Sequence, residues 1–190
     1  LVVLTGAGIS AESGIKTFRD TNGLWENYSI DDVATPMGWL KNKQLVLDFY
    51  NERRKEVAKA KPNVAHFKIV ELEKYFDVSI VTQNVDDLHE RAGSTNILHL
   101  HGELFKSQSS KYPELTYECK DDIKLGDLCE NGSQLRPNVV WFGESVNLLM
   151  PAEAIVAQAD YLVIIGTSMQ VYPAAGLIEH VQEHTKIFIL

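Results

Sequence analysis

Apolar residues in this chain follow two rhythms. Short, largely β-branched runs lie over 1–4, 78–82, 161–165 and 186–190, and longer stretches between them carry apolar residues at helical spacing. The short runs read as buried strands, since Val and Ile suit a pleated, covered surface. The stretch 44–60 places Leu45, Phe49 and Val57 on a helix that Pro62 stops, and Asn63 can cap a second helix over 64–75 with Val64, Phe67 and Leu72 as its stripe. Further helices are expected over 151–159 and 174–184, and 139–144 reads as a strand ended by Gly143. Strands separated by helices imply an α/β fold with a mostly parallel sheet.

In such sheets ligands sit beyond the C-terminal strand edges, and three of these edges are rich in small or polar residues. The first strand runs into Thr5-Gly-Ala-Gly-Ile-Ser-Ala-Glu-Ser-Gly14, the strand, glycine turn and helix that cradle a phosphate. Gly6 permits the turn, Gly8 lets backbone amides approach a pyrophosphate, and Ala11 takes the third small position of the fingerprint. A hydride-transfer enzyme would continue with a second strand ending in an acidic residue. Here 16–26 carries no β run, and Phe18 and Arg19 fall in a loop suited to covering a bound dinucleotide. Gly166-Thr167-Ser168 has the same placement after its own strand. Most telling is Thr-Gln-Asn-Val-Asp at 82–86, where Gln83, Asn84 and Asp86 crowd one strand end; Asn84 and Asp86 also suit helix caps.

Composition narrows the partners. A net charge of −8 argues against a nucleic-acid binder, which would show a basic face. No apolar run approaches the roughly 20 residues that span a bilayer, and no charged-then-apolar leader is present, so no membrane partner and a cytoplasmic location are expected. The chain begins within a strand and ends in an apolar run, so we expect it to be cut at both ends and to continue past Leu190. The sequence leaves oligomeric state open.

GAGISAESGIKTFRD at 6–20, TQNVDDLHERAGS at 82–94, HLHGEL at 99–104, LRPNVVWFGE at 135–144 and GTSMQVYPAAGL at 166–177 together resemble the sirtuins, the NAD-dependent protein deacylases. The resemblance implies one catalytic domain over 1–190, with a Rossmann-like core and a small module inserted at about 103–135. It implies NAD as cofactor, held by Gly6, Ala7, Gly8, Ser10, Phe18, Arg19, Gln83, Asn84, Asp86, Gly166, Thr167 and Ser168. His101, the histidine followed by Gly102, matches the catalytic base; His99 is its structural competitor. The implied substrates are acyl-lysine proteins or peptides, lying as an added strand along Val140, Phe142, Gly143 and Val171.

Two features qualify the resemblance. Tyr50 and Arg53, three apart on the 44–60 helix, match the Tyr-x-x-Arg signature of sirtuins that remove succinyl, malonyl or glutaryl groups, although Arg53 also fits a solvated charged face. Sirtuins commonly hold a structural zinc with two Cys pairs in the inserted module. Here Ser107, Ser109 and Ser110 stand in the region of the first pair and only Cys119 and Cys129 follow, so no metal is expected. The leading reading is deacylation with release of nicotinamide and O-acyl-ADP-ribose. Mono-ADP-ribosyl transfer and a nonenzymatic NAD-binding module are the alternatives.

Overall fold

A computed structural model describes residues 1–16, 24, 25 and 28–190, with backbone only at 24 and 25. Phe18 and Arg19 lie outside the described residues. Strand β1 (Val2–Thr5) leads into α1 (Gly8–Ala11), then the two-residue strands β2 (Leu24–Trp25) and β3 (Tyr28–Ser29), where the sequence suggests no strand. Helices α2 (Ile30–Val33), α3 (Pro36–Lys41), α4 (Lys43–Lys59) and α5 (Val64–Leu72) follow. Next come β4 (Ser79–Thr82), α6 (Leu88–Ala92), β5 (Ile97–His99), β6 (Gly102–Ser109), β7 (Thr116–Glu118) and β8 (Leu135–Val139). The chain closes with α7 (Leu149–Val156), β9 (Tyr161–Ile165), a 3₁₀ helix (Ala174–His180) and β10 (Lys186–Ile189).

The main sheet is five parallel strands in the order β10-β9-β1-β4-β5. Its centre is β1, whose four residues are all buried. Apolar side chains pack on both faces: Val2, Leu4, Val81, Leu162 and Ile164 with α7 on one, and Val3, Ile9, Ile69, Val78 and Ile80 with α5 on the other. That two-sided burial is why these strands read as continuous apolar runs. A separate antiparallel sheet, β7-β6-β8, packs with α4 around Phe49, Tyr50, Leu104, Ile123 and Trp141.

Three expectations need correction. The strand expected over 139–144 is β8, which ends at Val139; Trp141 is buried but Phe142 and Gly143 lie in an exposed turn. The last helix is a 3₁₀ helix that stops at His180. Helices α2 and α3 escaped the sequence reading because they are short, and α3 rests on a local device: the Thr35 hydroxyl accepts from the Gly38 N–H with Pro36 at the first position.

Candidate active site

The C-terminal ends of β1, β4 and β9 meet at one point, and the contact between them is backbone on backbone. Gly8 N–H donates to the Gly166 carbonyl at 2.8 Å, and Gly6 N–H donates to the Ile165 carbonyl at 3.1 Å. A Cβ on Gly8 would lie 2.7 Å from Gly166 Cα; one on Gly166, where φ is +64°, would lie 2.2 Å from the Ile9 nitrogen. The missing side chain of Gly8 thus also serves the approach of the two turns, and its N–H is engaged by Gly166.

Asn84 ties the loop after β4 to this turn. Its Nδ2 donates to the Gly6 carbonyl at 3.1 Å and to Ser10 Oγ at 3.2 Å, while Ser10 Oγ donates to Asp86 Oδ2 at 3.0 Å. Asp86 also accepts from Leu88 N–H at 3.1 Å, so it both caps α6 and holds Ser10. Burial pushes the Asp86 carboxyl up, against the pull of those two donors. Gln83 Nε2 donates to Thr167 Oγ1 at 3.0 Å and so spans the two turns. Gly6, Gly8, Ser10, Gln83, Asn84, Asp86, Gly166 and Thr167 thus form one connected cluster. Ala7 and Ser168 flank it on the turns themselves, with Ser168 exposed.

His101 reaches this cluster from the crossover between β5 and β6. Its Nδ1 lies 3.1 Å from the Gln83 carbonyl. A carbonyl only accepts, so Nδ1 carries the proton and Nε2 is the lone-pair nitrogen. Burial lowers the His101 pKa below its ordinary value, partly offset by that carbonyl, and the ring is neutral at pH 7. Thus the group orienting the imidazole is a main-chain oxygen, not a carboxylate. Gly102 follows because its φ is +84° and a Cβ there would lie 2.2 Å from the Asn138 carbonyl oxygen.

His99 is electrostatically the opposite of His101. Its Nδ1 lies 2.8 Å from the Asn84 carbonyl and its Nε2 2.7 Å from Glu90 Oε1, so both ring nitrogens face acceptors. Burial pulls its pKa down, but Glu90 and the Asn84 carbonyl outweigh it and raise it above its ordinary value. Two histidines two residues apart are therefore shifted in opposite directions.

Of the expected substrate residues, Val140 touches this centre directly. Val140 N–H donates to the His101 carbonyl at 2.9 Å, and Phe142 N–H to the Ala34 carbonyl at 3.0 Å. Phe142 and Val171 are 46% and 38% exposed, large for apolar side chains. Arg136 stacks on the Trp141 ring, 3.8 Å from its centroid, and pairs with Glu144 at 2.9 Å. Tyr50 and Arg53 are both buried on α4. Trp141 Nε1 donates to the Tyr50 hydroxyl at 3.0 Å, and burial holds that phenol well above its usual pKa. Arg53 Nη1 donates to Glu56 Oε2 at 3.1 Å.

Cys119 and Cys129 are both free thiols. Their sulfurs donate to the Asp121 carbonyl and to Ser109 Oγ, each at 3.4 Å. Among the described residues no three His, Cys, Asp or Glu side chains are grouped to hold a metal ion. Sequence reasoning missed Thr5, Thr82, Glu90 and His89, which lie behind the cluster and support it. For Thr5, Thr82 and His89 the signal was a polar residue at a buried position of a strand or helix; Glu90, which is exposed, carried none.

A parallel sheet whose glycine turns meet beside a polar loop is the architecture of a dinucleotide-binding domain. The Sir2 family model matches residues 6–173. An NAD-dependent protein deacylase of Helicobacter pylori is 59% identical over 190 residues, covering all of this chain and 83% of that protein. One of Aggregatibacter actinomycetemcomitans is 54% identical over 189 residues, covering all of this chain and 91% of the relative. Among solved structures, a Sir2 homologue in complex with NAD superposes with a TM-score of 0.89 at 43% identity, over 99% of this chain and 76% of that one. The chain belongs to the Sir2 family, the sirtuins.

Proposed function

We propose that the chain is an NAD-dependent protein lysine deacylase with His101 as its general base, and that it removes succinyl and malonyl groups in preference to acetyl. The observation that carries the reading is the tautomer of His101: Nδ1–H is tied to Gln83, on the loop that Asn84 binds to the glycine turns, and Nε2 is left as a base beside them. The names of the Helicobacter and Aggregatibacter relatives support the activity.

The cradle suits NAD by its donor set. Hydroxyls of Ser10, Thr167 and Ser168, amides of Gln83 and Asn84, and the carboxyl of Asp86 offer hydrogen bonds to ribose hydroxyls and a carboxamide. When bound, NAD supplies an activated ribose carbon that accepts the acyl oxygen as nicotinamide leaves. On this reading Gln83, Asn84 and Asp86 orient the nicotinamide ribose, with Asn84 itself held rigid by the turn beneath it. Gly6, Ala7, Gly8, Gly166, Thr167 and Ser168 hold the phosphates and the second ribose, and Phe18 and Arg19 cover them. His101 Nε2 takes a proton from a ribose hydroxyl, a step that a neutral imidazole near its working pH performs well.

The peptide is read as lying along Val140, Phe142, Gly143 and Val171. Val140 and Trp141 also border a groove of about 720 Å³ with Trp39, Lys43, Arg136 and Glu144, which gives flanking residues room. Tyr50 and Arg53 are assigned to the distal carboxylate of the acyl chain. Tyr50 already meets the substrate segment through Trp141, and Arg53 already binds a carboxylate, that of Glu56, which is 54% exposed and so exchangeable. A charge-assisted hydrogen bond contributes about 1.5–3 kcal/mol, enough to shift acyl preference by about tenfold or more. The two free thiols suit a reducing compartment, the cytoplasm.

The test is to incubate the protein with NAD and either a succinyl-lysine or an acetyl-lysine peptide, and to follow free nicotinamide and peptide mass. Loss of the acyl mass with matching nicotinamide release is expected. Arg53→Met is expected to lower desuccinylation about tenfold while sparing deacetylation. Equal loss of both activities removes Arg53 from the acyl site; a peptide that gains the mass of ADP-ribose instead overturns deacylation.

A further inference from the structure

Behind the site lies a buried polar unit that the reaction does not use. His66 on α5 and His89 on α6 are 0% and 1% exposed, and their rings meet edge to face with centroids 4.9 Å apart. Burial depresses both to a pKa of about 4, so both are neutral at pH 7. Their tautomers follow from their partners. His66 Nδ1 accepts from the Asn63 N–H at 3.3 Å, which leaves the proton on Nε2. His89 Nε2 lies 3.1 Å from Thr5 Oγ1, whose own hydrogen goes to Thr82 Oγ1 at 2.8 Å, so His89 Nε2 is the donor. Thr82 Oγ1 in turn accepts from the Asn84 main-chain N–H at 3.0 Å.

A buried hydroxyl pair inside a parallel sheet costs stability unless it is satisfied, and apolar residues would fill β1 and β4 without that cost. What the pair does achieve is to fix the Asn84 amide. The loop is then clamped from both sides, with its N–H held through Thr82 and Thr5 by His89 and its carbonyl held by His99. Asn63 extends the unit toward the glycine turn, since its Nδ2 donates to the Ile9 carbonyl at 2.7 Å and to Ser13 Oγ at 3.0 Å.

We propose that His89 is a positioning residue for this reaction: it acts through the Thr5 and Thr82 hydroxyls to hold Asn84 in the orientation that binds the nicotinamide ribose. The proposal rests on the NAD reading of the site. His89 touches no reactant on this account. It sets the direction of a chain of hydrogen bonds: with the imidazole donating to Thr5 Oγ1, the Thr5 hydrogen is directed to Thr82 Oγ1, which also accepts the Asn84 N–H.

Three variants test it. His89→Phe keeps the ring and removes the donor, and kcat/KM for NAD is expected to fall about tenfold, the effect of one buried hydrogen bond left unmade. His89→Gln, whose amide nitrogen reaches the place of Nε2, is expected to restore most of that loss. Among the described residues, His66 Nε2 and His89 Nδ1 are buried without a hydrogen-bond partner, and His66→Phe/His89→Phe removes both, so the melting temperature is expected to recover while kcat/KM stays low. Return of kcat/KM with the melting temperature would make His89 merely structural and overturn the proposal.

Hydrogen exchange at the Asn84 amide gives a readout that needs no NAD. It is expected to quicken by about fivefold in His89→Phe. Unchanged exchange overturns the proposal, whether or not the wild-type protein consumes NAD. Wild-type protein that consumes no NAD, with exchange altered as expected, instead refutes the assigned function and leaves the relay standing. Should His89→Phe not fold, the Gln variant and the double variant carry the same measurements.

Discussion

Gly8→Ala tests whether the meeting of the two glycine turns holds the site together. The added Cβ would stand 2.7 Å from Gly166 Cα and 2.8 Å from Gly166 O, both backbone atoms that no side-chain rotation can clear. Relief requires the turns to part by several tenths of an ångström, which stretches the 2.8 Å bond from Gly8 N–H to the Gly166 carbonyl. Overpacking of this kind costs about 1–3 kcal/mol, and loss of the hydrogen bond adds about 1 kcal/mol. For a chain of this size that is a fall in melting temperature of about 5–12 °C. Because Asn84 grips Gly6, the KM for NAD is expected to rise in the same variant. Gly14→Ala is the control, since φ there is +85° but nothing lies within 4 Å of the new Cβ. It incurs only the left-handed backbone cost of about 1–2 kcal/mol and should leave the KM for NAD alone. Differential scanning fluorimetry and NAD titration of both variants read the difference. A Gly8→Ala protein within about 1 °C of wild type, with an unchanged KM, would refute the reasoning.

The two neighbouring histidines predict opposite pH behaviour. His101 is held below its ordinary value of 6.5 by burial, so its basic form persists into mild acid and the acid limb of kcat/KM should lie below pH 6.5; a limb at or above 6.5 would count against it as the base. His99 is held above 6.5 although burial opposes it, because Glu90 and the Asn84 carbonyl favour the cation. Its contribution to stability is therefore complete below pH 6.5 and lost as pH rises through the higher folded value. Glu90 is held below its ordinary 4.5 by the same contact, so the pair should stabilise most between about pH 4.5 and 6.5. Thermal melts at rising pH should show a decline above 6.5 in wild type that flattens in Glu90→Gln, and an identical slope in both would exclude the pair as its source.

What was legible in the sequence was whatever one element expresses alone. The apolar runs of β1, β4 and β9 announce themselves because both faces of the sheet are covered there, and α4 shows its stripe and α5 its Asn63 cap; β10, by contrast, is exposed throughout, and Val64 and Phe67, expected on the buried stripe of α5, are exposed. Residues of the site are clustered in the sequence because each turn follows a strand immediately. Illegible were relations between elements. Nothing in the string says that Gly8 meets Gly166, that a main-chain oxygen orients His101, or that the His99 pKa is raised while that of His101 is lowered. Likewise 139–144 reads as one strand because Val139, Trp141 and Phe142 are all β-formers. Only the fold shows Trp141 turned inward against Tyr50 while Phe142 stays outside.

The central place of β1 has a consequence for biosynthesis. Val2 pairs on one side with Ser79 and on the other with Leu162, so β1 leaves the ribosome well before β9, the second of its two neighbours, has been made. At ordinary elongation rates it waits about 10–30 s with bare edges. Non-local parallel pairing of this kind is slow to form and exposed to aggregation in the meantime. Nascent chains should therefore need a holding chaperone until Ile165 has emerged, and a circular permutant that opens after β3, so that β1 is synthesised after both its neighbours, should mature with less assistance.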